Sequence, residues 1–149
     1  MADFNGGVKM WCPYLEEAIG AVRTLNYPGF FGHLDFLRRY ISGNTPLKPS
    51  ALLDELLLTL VKYDIGVEIN TSGLRNDIKE VNPQPWIIER YLSFGGKYIT
   101  VGSDAHGKNE IGAGFKEALN ILNTLDMKEI FYCENGNFIP LNVNSMCRT

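Results

Sequence analysis

The 149-residue chain has only two histidines and three cysteines, and it lacks long apolar runs and any run of one charge sign. Cys12, Cys133 and Cys147 lie far apart, are odd in number and form no Cys-x-x-Cys pair. That excludes a disulfide framework and a zinc ribbon, and fits free thiols in a reducing cytoplasm. No apolar stretch exceeds about eight residues, and Met1 to Met10 holds no basic segment followed by an apolar core, so neither a membrane span nor a signal peptide is expected. The formal charge of −3 comes from mixed signs, which leaves no electrostatic footprint for polymeric nucleic acid or an anionic membrane. At this length and with 45% apolar residues, one ordinary core is affordable and two are not. The Pro-containing connection Asn44 to Pro49 does not read as a linker, so residues 1–149 are expected to form a single domain.

What is present is an alternation. Four β-rich runs, Gly29 to Gly32, Ile65 to Ile69, Tyr98 to Val101 and Ile130 to Cys133, recur at a period of about 35 residues. Helical patterns lie before and between them. Leu15, Ala18, Ile19, Val22 and Leu25 mark one apolar stripe. Leu52, Leu53, Leu56, Leu57, Leu60 and Val61 form a broad face after Ser50, a candidate N-cap. Trp86, Ile87, Tyr91 and Phe94 mark a third helix, with Pro85 suited to its first turn and Gly95 and Gly96 to its end. Phe115, Ala118, Leu119 and Leu122 mark the fourth, and Asn135 to Val143 reads as a turn and a final extended segment. The fold class is α/β with about four parallel βα units. A doubly wound sheet and a (β/α) barrel both satisfy the pattern, and a standard barrel needs eight units.

The chemistry-bearing residues cluster at one end of the strands. Gly32-His33-Leu34-Asp35 follows the first, Glu68-Ile69-Asn70-Thr71 closes the second, and Gly102-Ser103-Asp104-Ala105-His106 follows the third. In parallel α/β folds that C-terminal edge is where loops converge and ligands bind. Each histidine has an aspartate two positions away, so imidazole nitrogens and carboxylate oxygens could surround a divalent cation such as zinc, manganese or iron. Gly32 and Gly102 are expected to let the backbone turn before these residues. Arg38 and Arg39, one turn beyond Asp35, and Arg75, after the second strand, offer guanidinium forks matched to phosphate oxygens. One of the Arg38–Arg39 pair can equally be a surface ion-pair partner. Glu68 alternates with Val67 and Ile69, so it faces either the strand-end interior or the helices, and needs a partner in both cases. Asn70 and Ser72 have a plainer use in satisfying loop backbone groups, and Lys108, Asn109 and Glu110 read as a solvated loop.

The words Gly32-His33-Leu34-Asp35-Phe36-Leu37-Arg38-Arg39-Tyr40, Glu68-Ile69-Asn70-Thr71-Ser72-Gly73-Leu74-Arg75 and Gly102-Ser103-Asp104-Ala105-His106 together resemble the third and fourth motifs of histidinol-phosphate phosphatases of the PHP (polymerase and histidinol phosphatase) family. The resemblance runs from about Tyr14 to Val143. It implies part of a distorted PHP-type (β/α) barrel with up to three metal ions at the strand ends, His33, Asp104 and His106 as ligands, and Arg38 and Arg75 near the substrate phosphate. The implied reaction of the intact enzyme is hydrolysis of histidinol phosphate to histidinol and phosphate, in histidine biosynthesis. The alternatives are a PHP phosphoesterase for another small phosphomonoester or nucleotide, and an inactive remnant with a binding or assembly role. The family's His-x-His motif and further histidines have no counterpart among the two histidines here, so the metal site is expected to be incomplete, and the chain alone is expected to have little activity. An incomplete barrel would also leave open sheet edges, a route to self-association.

Overall fold

The structure, a computed structural model, describes residues 4–25, 27–40 and 46–143; Cys147 and the start of the Asn44–Pro49 connection lie outside the described residues. In chain order the main elements are α1 (Phe4–Leu25), β1 (Gly29–Phe31), α2 (Ala51–Lys62), β2 (Ile65–Asn70), α3 (Pro85–Ser93), β3 (Ile99–Gly102), α4 (Phe115–Thr124), β4 (Glu129–Glu134) and β5 (Asn137–Asn142). Short 3-10 turns follow each parallel strand, at Phe36–Arg39, Ser72–Arg75 and Lys108–Glu110.

The first three strands form a parallel sheet ordered β1-β2-β3, with Gly29 beside Ile65 and Val67 beside Ile99. All three therefore end on the same edge. The central strand buries Val67 and Ile69 fully on one face and Asn70 on the other, where Glu68 is only half-buried. The fourth β-rich run does not join this sheet. β4 instead pairs antiparallel with β5, Glu134 opposite Asn137, so three parallel strands replace the four expected. The cause is the Asn135–Gly136 turn, whose residues both take positive φ, 51° and 77°, the backbone of a two-residue hairpin.

Helix formation follows the apolar spacing. In α2 the Ser50 hydroxyl oxygen accepts the Leu53 N–H at 3.2 Å, occupying one of the free donors of the first turn. Leu53, Leu56, Leu57 and Leu60 are fully buried between α1 and the sheet. In α1, Leu15, Ala18, Ile19 and Val22 are buried but Leu25 is 72% exposed, because the helix ends there and its last turn runs past the core. α3 begins at Pro85 and buries Ile87, Ile88 and Tyr91, whose hydroxyl donates to the Ile65 carbonyl at 3.0 Å. One contiguous cluster of buried side chains joins all four helices, β2, β3 and β4.

The hairpin sits at the sheet end where the strands begin. The Phe138 ring stacks on Tyr98 with centroids 3.9 Å apart and meets Phe30 edge-on, and Phe131 meets Tyr98 edge-on. Gly136 comes close to the Tyr27 ring, just before β1. The opposite end, where the strands finish, is left to the loops that carry the polar residues.

Candidate metal centre and phosphate cleft

His33 follows β1, Glu68 and Asn70 lie on β2, and Asp104 follows β3, so neighbouring strands deliver them to one edge. His33 Nε2 lies 3.5 Å from Asp104 Oδ2, and its Nδ1 lies 3.8 Å from Glu68 Oε2. The backbone at His33 and at Asp104 is in the left-handed region, φ 56° and 49°, an unfavourable setting for non-glycine residues that the surroundings must hold. One such hold is the Tyr14 hydroxyl, which donates to the His33 carbonyl at 3.0 Å; burial, and then Asp35, push that phenol up to about 12.

Gly32 and Gly102 do not themselves adopt positive φ. They make room. A Cβ on Gly102 would come within 2.3 Å of Glu68 Oε1, and one on Gly32 within 3.0 Å of Oε2. The carboxylate of the central strand thus lies in a slot between two bare backbones, on the ligand edge and not under the helices.

His106 is placed differently. Its side chain is 82% exposed, with Nδ1 2.9 Å from the Asp104 carbonyl oxygen. A carbonyl only accepts, so in this contact Nδ1 is the donor. Its backbone N–H donates to Glu110 Oε2 at 2.9 Å. Glu110, read from the sequence as part of a solvated loop, therefore fixes the His106 backbone and approaches Arg75 at 3.8 Å.

The arginines divide. Arg75 donates to the carbonyl oxygens of Ser103, 2.7 Å, and Asp104, 3.3 Å, which ties the β2 loop to the β3 loop. It lines a cleft of about 300 Å³ with Arg39, Ser72, Asn76, Asp104, His106 and Glu110. Arg38 is not among the lining residues. It is 6% exposed and sits 2.6 Å from Glu80 Oε2 and 3.8 Å from Asp35 Oδ2, so its charge is directed inward. Asp35 is fully buried and also accepts the Gln84 N–H at 3.2 Å. Burial pushes its carboxyl up to about 6 despite the opposing pull of Arg38. Exposed Arg39 takes the place on the cleft wall that the sequence reading gave to Arg38; a pair of adjacent arginines in a 3-10 turn cannot both face one way.

His33 and Asp104 fit a divalent cation in donor type and proximity, with Nε2 and Oδ2 side by side. They do not suffice in number. Among the described residues no group of three or more His, Cys, Asp or Glu side chains is gathered closely enough to hold a metal ion, whereas zinc is ordinarily held by three or four protein ligands. The residues present are a histidine and an aspartate side by side, next to a cleft with two arginines.

No family model matches the chain. It is 34% identical over 115 residues to a probable histidinol-phosphatase of Thermotoga maritima, covering 77% of this chain and 48% of the relative. It is also 34% identical over 125 residues to a probable histidinol-phosphatase of Clostridium acetobutylicum, covering 80% and 48%. The chain spans about half the length of the curated relatives it matches. The crystal structure of a histidinol phosphate phosphatase from Lactococcus lactis, complexed with zinc, L-histidinol and phosphate, superposes with a TM-score of 0.69 at 20% identity, over 85% of this chain and 49% of that one. At that identity the likeness is one of fold.

Proposed function

The chain is a relative of the histidinol-phosphatases, aligned with about half of their length, and from that premise we propose that it serves hydrolysis of histidinol phosphate to histidinol and phosphate, within histidine biosynthesis in the cytoplasm. The observation that carries the reading is the meeting of His33 and Asp104 at 3.5 Å beside a cleft walled by Arg75 and Arg39. Among the described residues no helix is long and apolar enough to cross a membrane. The three parallel strands are read as part of a larger PHP-type barrel, in keeping with a longer structural neighbour of which this chain covers 49%, and their open edges as the surface through which this chain associates with further polypeptide.

His33 and Asp104 would be this chain's contribution to holding a divalent cation such as zinc, manganese or iron, which would supply positive charge and make a water more acidic. His33 offers Nε2 and Asp104 a carboxylate oxygen, and His106 joins them only by turning its exposed ring inward. Arg75 and Arg39 hold the phosphate oxygens, where a fork of N–H donors steadies charge that grows on phosphorus oxygens during displacement. Arg75 keeps its two backbone acceptors while doing so, which fixes its direction. Arg38 holds the loop after His33 in place and is not assigned to substrate.

The test is phosphate release from histidinol phosphate, with zinc or manganese added. The chain is assayed alone and when co-expressed with the segment of the Thermotoga maritima relative that it does not cover. Release by the joined polypeptides and its loss in Asp104→Ala are expected. A folded complex of the two that releases no phosphate would overturn the reading.

A further inference from the structure

We propose that Glu110 is a specificity-determining residue of the arginine-lined cleft, its free carboxylate oxygen taking the ammonium group of a substrate built as a 2-aminoalkyl phosphate. The inference deepens the phosphatase reading and rests on it for the phosphate half of the ligand; the amine half stands on the charges of the cleft itself. The cleft, about 300 Å³, brings Arg39 and Arg75 together with Asp104 and Glu110, and its size suits a small ligand. A wall shaped for a bare phosphate dianion gains from cations alone, because a carboxylate beside that ligand repels it. Two carboxylates line this one.

Asp104 is already engaged. Its Oδ2 lies 3.5 Å from His33 Nε2 and its Oδ1 4.0 Å from His106 Nδ1, so both oxygens face imidazoles. Glu110 is engaged through one oxygen only. Oε2 accepts the His106 backbone N–H at 2.9 Å and lies 3.8 Å from Arg75 Nη2, whereas Oε1 has no hydrogen-bond partner among the described residues. The side chain is 40% exposed, so that oxygen is open to a ligand. A neutral amide would serve the His106 N–H equally well. What the carboxylate adds is charge on the oxygen left over.

Arg75 is divided in the same way. Its Nη2 donates to the Ser103 and Asp104 carbonyl oxygens at 2.7 and 3.3 Å, while Nη1 and Nε have no partner among the described residues. Those donors remain for phosphate oxygens. The engaged atoms of the two side chains, Nη2 and Oε2, are 3.8 Å apart, so the unengaged ones lie on neighbouring groups of opposite charge. A zwitterion with a two-carbon bridge matches them, its phosphate on the arginine and its ammonium on Glu110. Histidinol phosphate has this pattern. A phosphomonoester without the amine meets the repulsion of Glu110 and gains nothing from it, which is discrimination by charge.

The test uses two probes of equal length, 2-aminoethyl phosphate and propyl phosphate, in which a methyl replaces the ammonium. Each is titrated into the full chain, freed of metal by a chelator, at neutral pH and low ionic strength, and binding is followed by nuclear magnetic resonance of the labelled protein. 2-Aminoethyl phosphate is expected to bind about fivefold more tightly, the upper range for an ion pair between exposed partners, and to move the Glu110 carboxyl carbon signal, which propyl phosphate leaves in place. Glu110→Gln keeps an acceptor for the His106 N–H but removes the charge; 2-aminoethyl phosphate should then bind less tightly, propyl phosphate more tightly, and the preference should vanish. A merely structural role would weaken both probes together. That result, or a preference that survives in folded Glu110→Gln, overturns the proposal. So does a wild-type chain that binds neither probe or shows no preference, or a Glu110 signal that stays still, whether or not the variant folds. These outcomes are separate from phosphate release by the joined polypeptides, which requires no particular holder for the amine; a joined complex without activity would leave a measured preference standing.

Discussion

Replacing Arg38 with alanine should cost about 3–5 kcal/mol at pH 7, the range for removing one partner of a buried ion pair. Arg38 is 6% exposed and Asp35 not at all, so loss of the guanidinium leaves a carboxylate with no water to replace it. Glu80, 36% exposed, can turn to solvent and adds little. Burial already raises the Asp35 carboxyl to about 6 in the folded chain, and without Arg38 it rises further. In the unfolded chain the value is about 4. The native state therefore binds more protons between these values, and the contribution of Asp35 to stability is fullest below about pH 4 and lost as pH rises through the folded value. The cost of Arg38→Ala should accordingly shrink at pH 5, where Asp35 is protonated, and in an Asp35→Asn background fall to roughly 1 kcal/mol for the buried arginine stem. Urea denaturation of metal-free protein, as a double-mutant cycle at both pH values, measures this. A cost below about 1 kcal/mol at pH 7, or one equal in both backgrounds, would refute the inward role of Arg38.

Leu57→Ala in α2 should lose about 2–5 kcal/mol in the same assay, since Leu57 is fully buried; a smaller loss would mean that α2 is not packed as described. The Arg90–Asp54 pair, with bonds of 2.8 and 2.6 Å, is solvent-exposed, so Arg90→Ala should destabilise only slightly. The hydrogen bond from Arg90 lowers the Asp54 carboxyl, so this stabilisation is present at neutral pH and disappears on acidification below about pH 4; a difference that persists at pH 2.5 would contradict it. The chain by itself, given manganese or zinc and histidinol phosphate, should release phosphate far more slowly than an ordinary enzymatic rate of ~10 per second. Turnover near that rate would mean that His33, Asp104 and His106 suffice.

The first three strands and the helices between them were legible because burial imposes a period on the sequence, and the Ser50 cap because a hydroxyl there has one geometric use. Ile130 to Cys133 kept that period yet joined no parallel sheet. Spacing carries no strand direction, and the sign that does, Asn135 followed by Gly136 between two extended runs, was readable only as a turn. Arg38 and Arg39 are neighbours in sequence with opposite fates decided by Asp35 and by Glu80, about forty residues on. That pairing exists only once α3 and its leading loop are in place. Glu68 was left with two faces open because alternation places it opposite Val67 without saying which side is the cleft. Gly32 and Gly102 were read for their turns, whereas their missing side chains matter more, a reading that needs the register of three strands.

The hairpin has a practical consequence. Its Asn135–Gly136 tip lies against Tyr27, where the strands start, while His33 and Asp104 lie where they finish. A dye, affinity handle or surface tether attached at Asn135, which is exposed, would therefore hold the molecule by its base and leave the arginine-lined cleft facing the solution, suited to immobilised binding measurements with phosphate compounds.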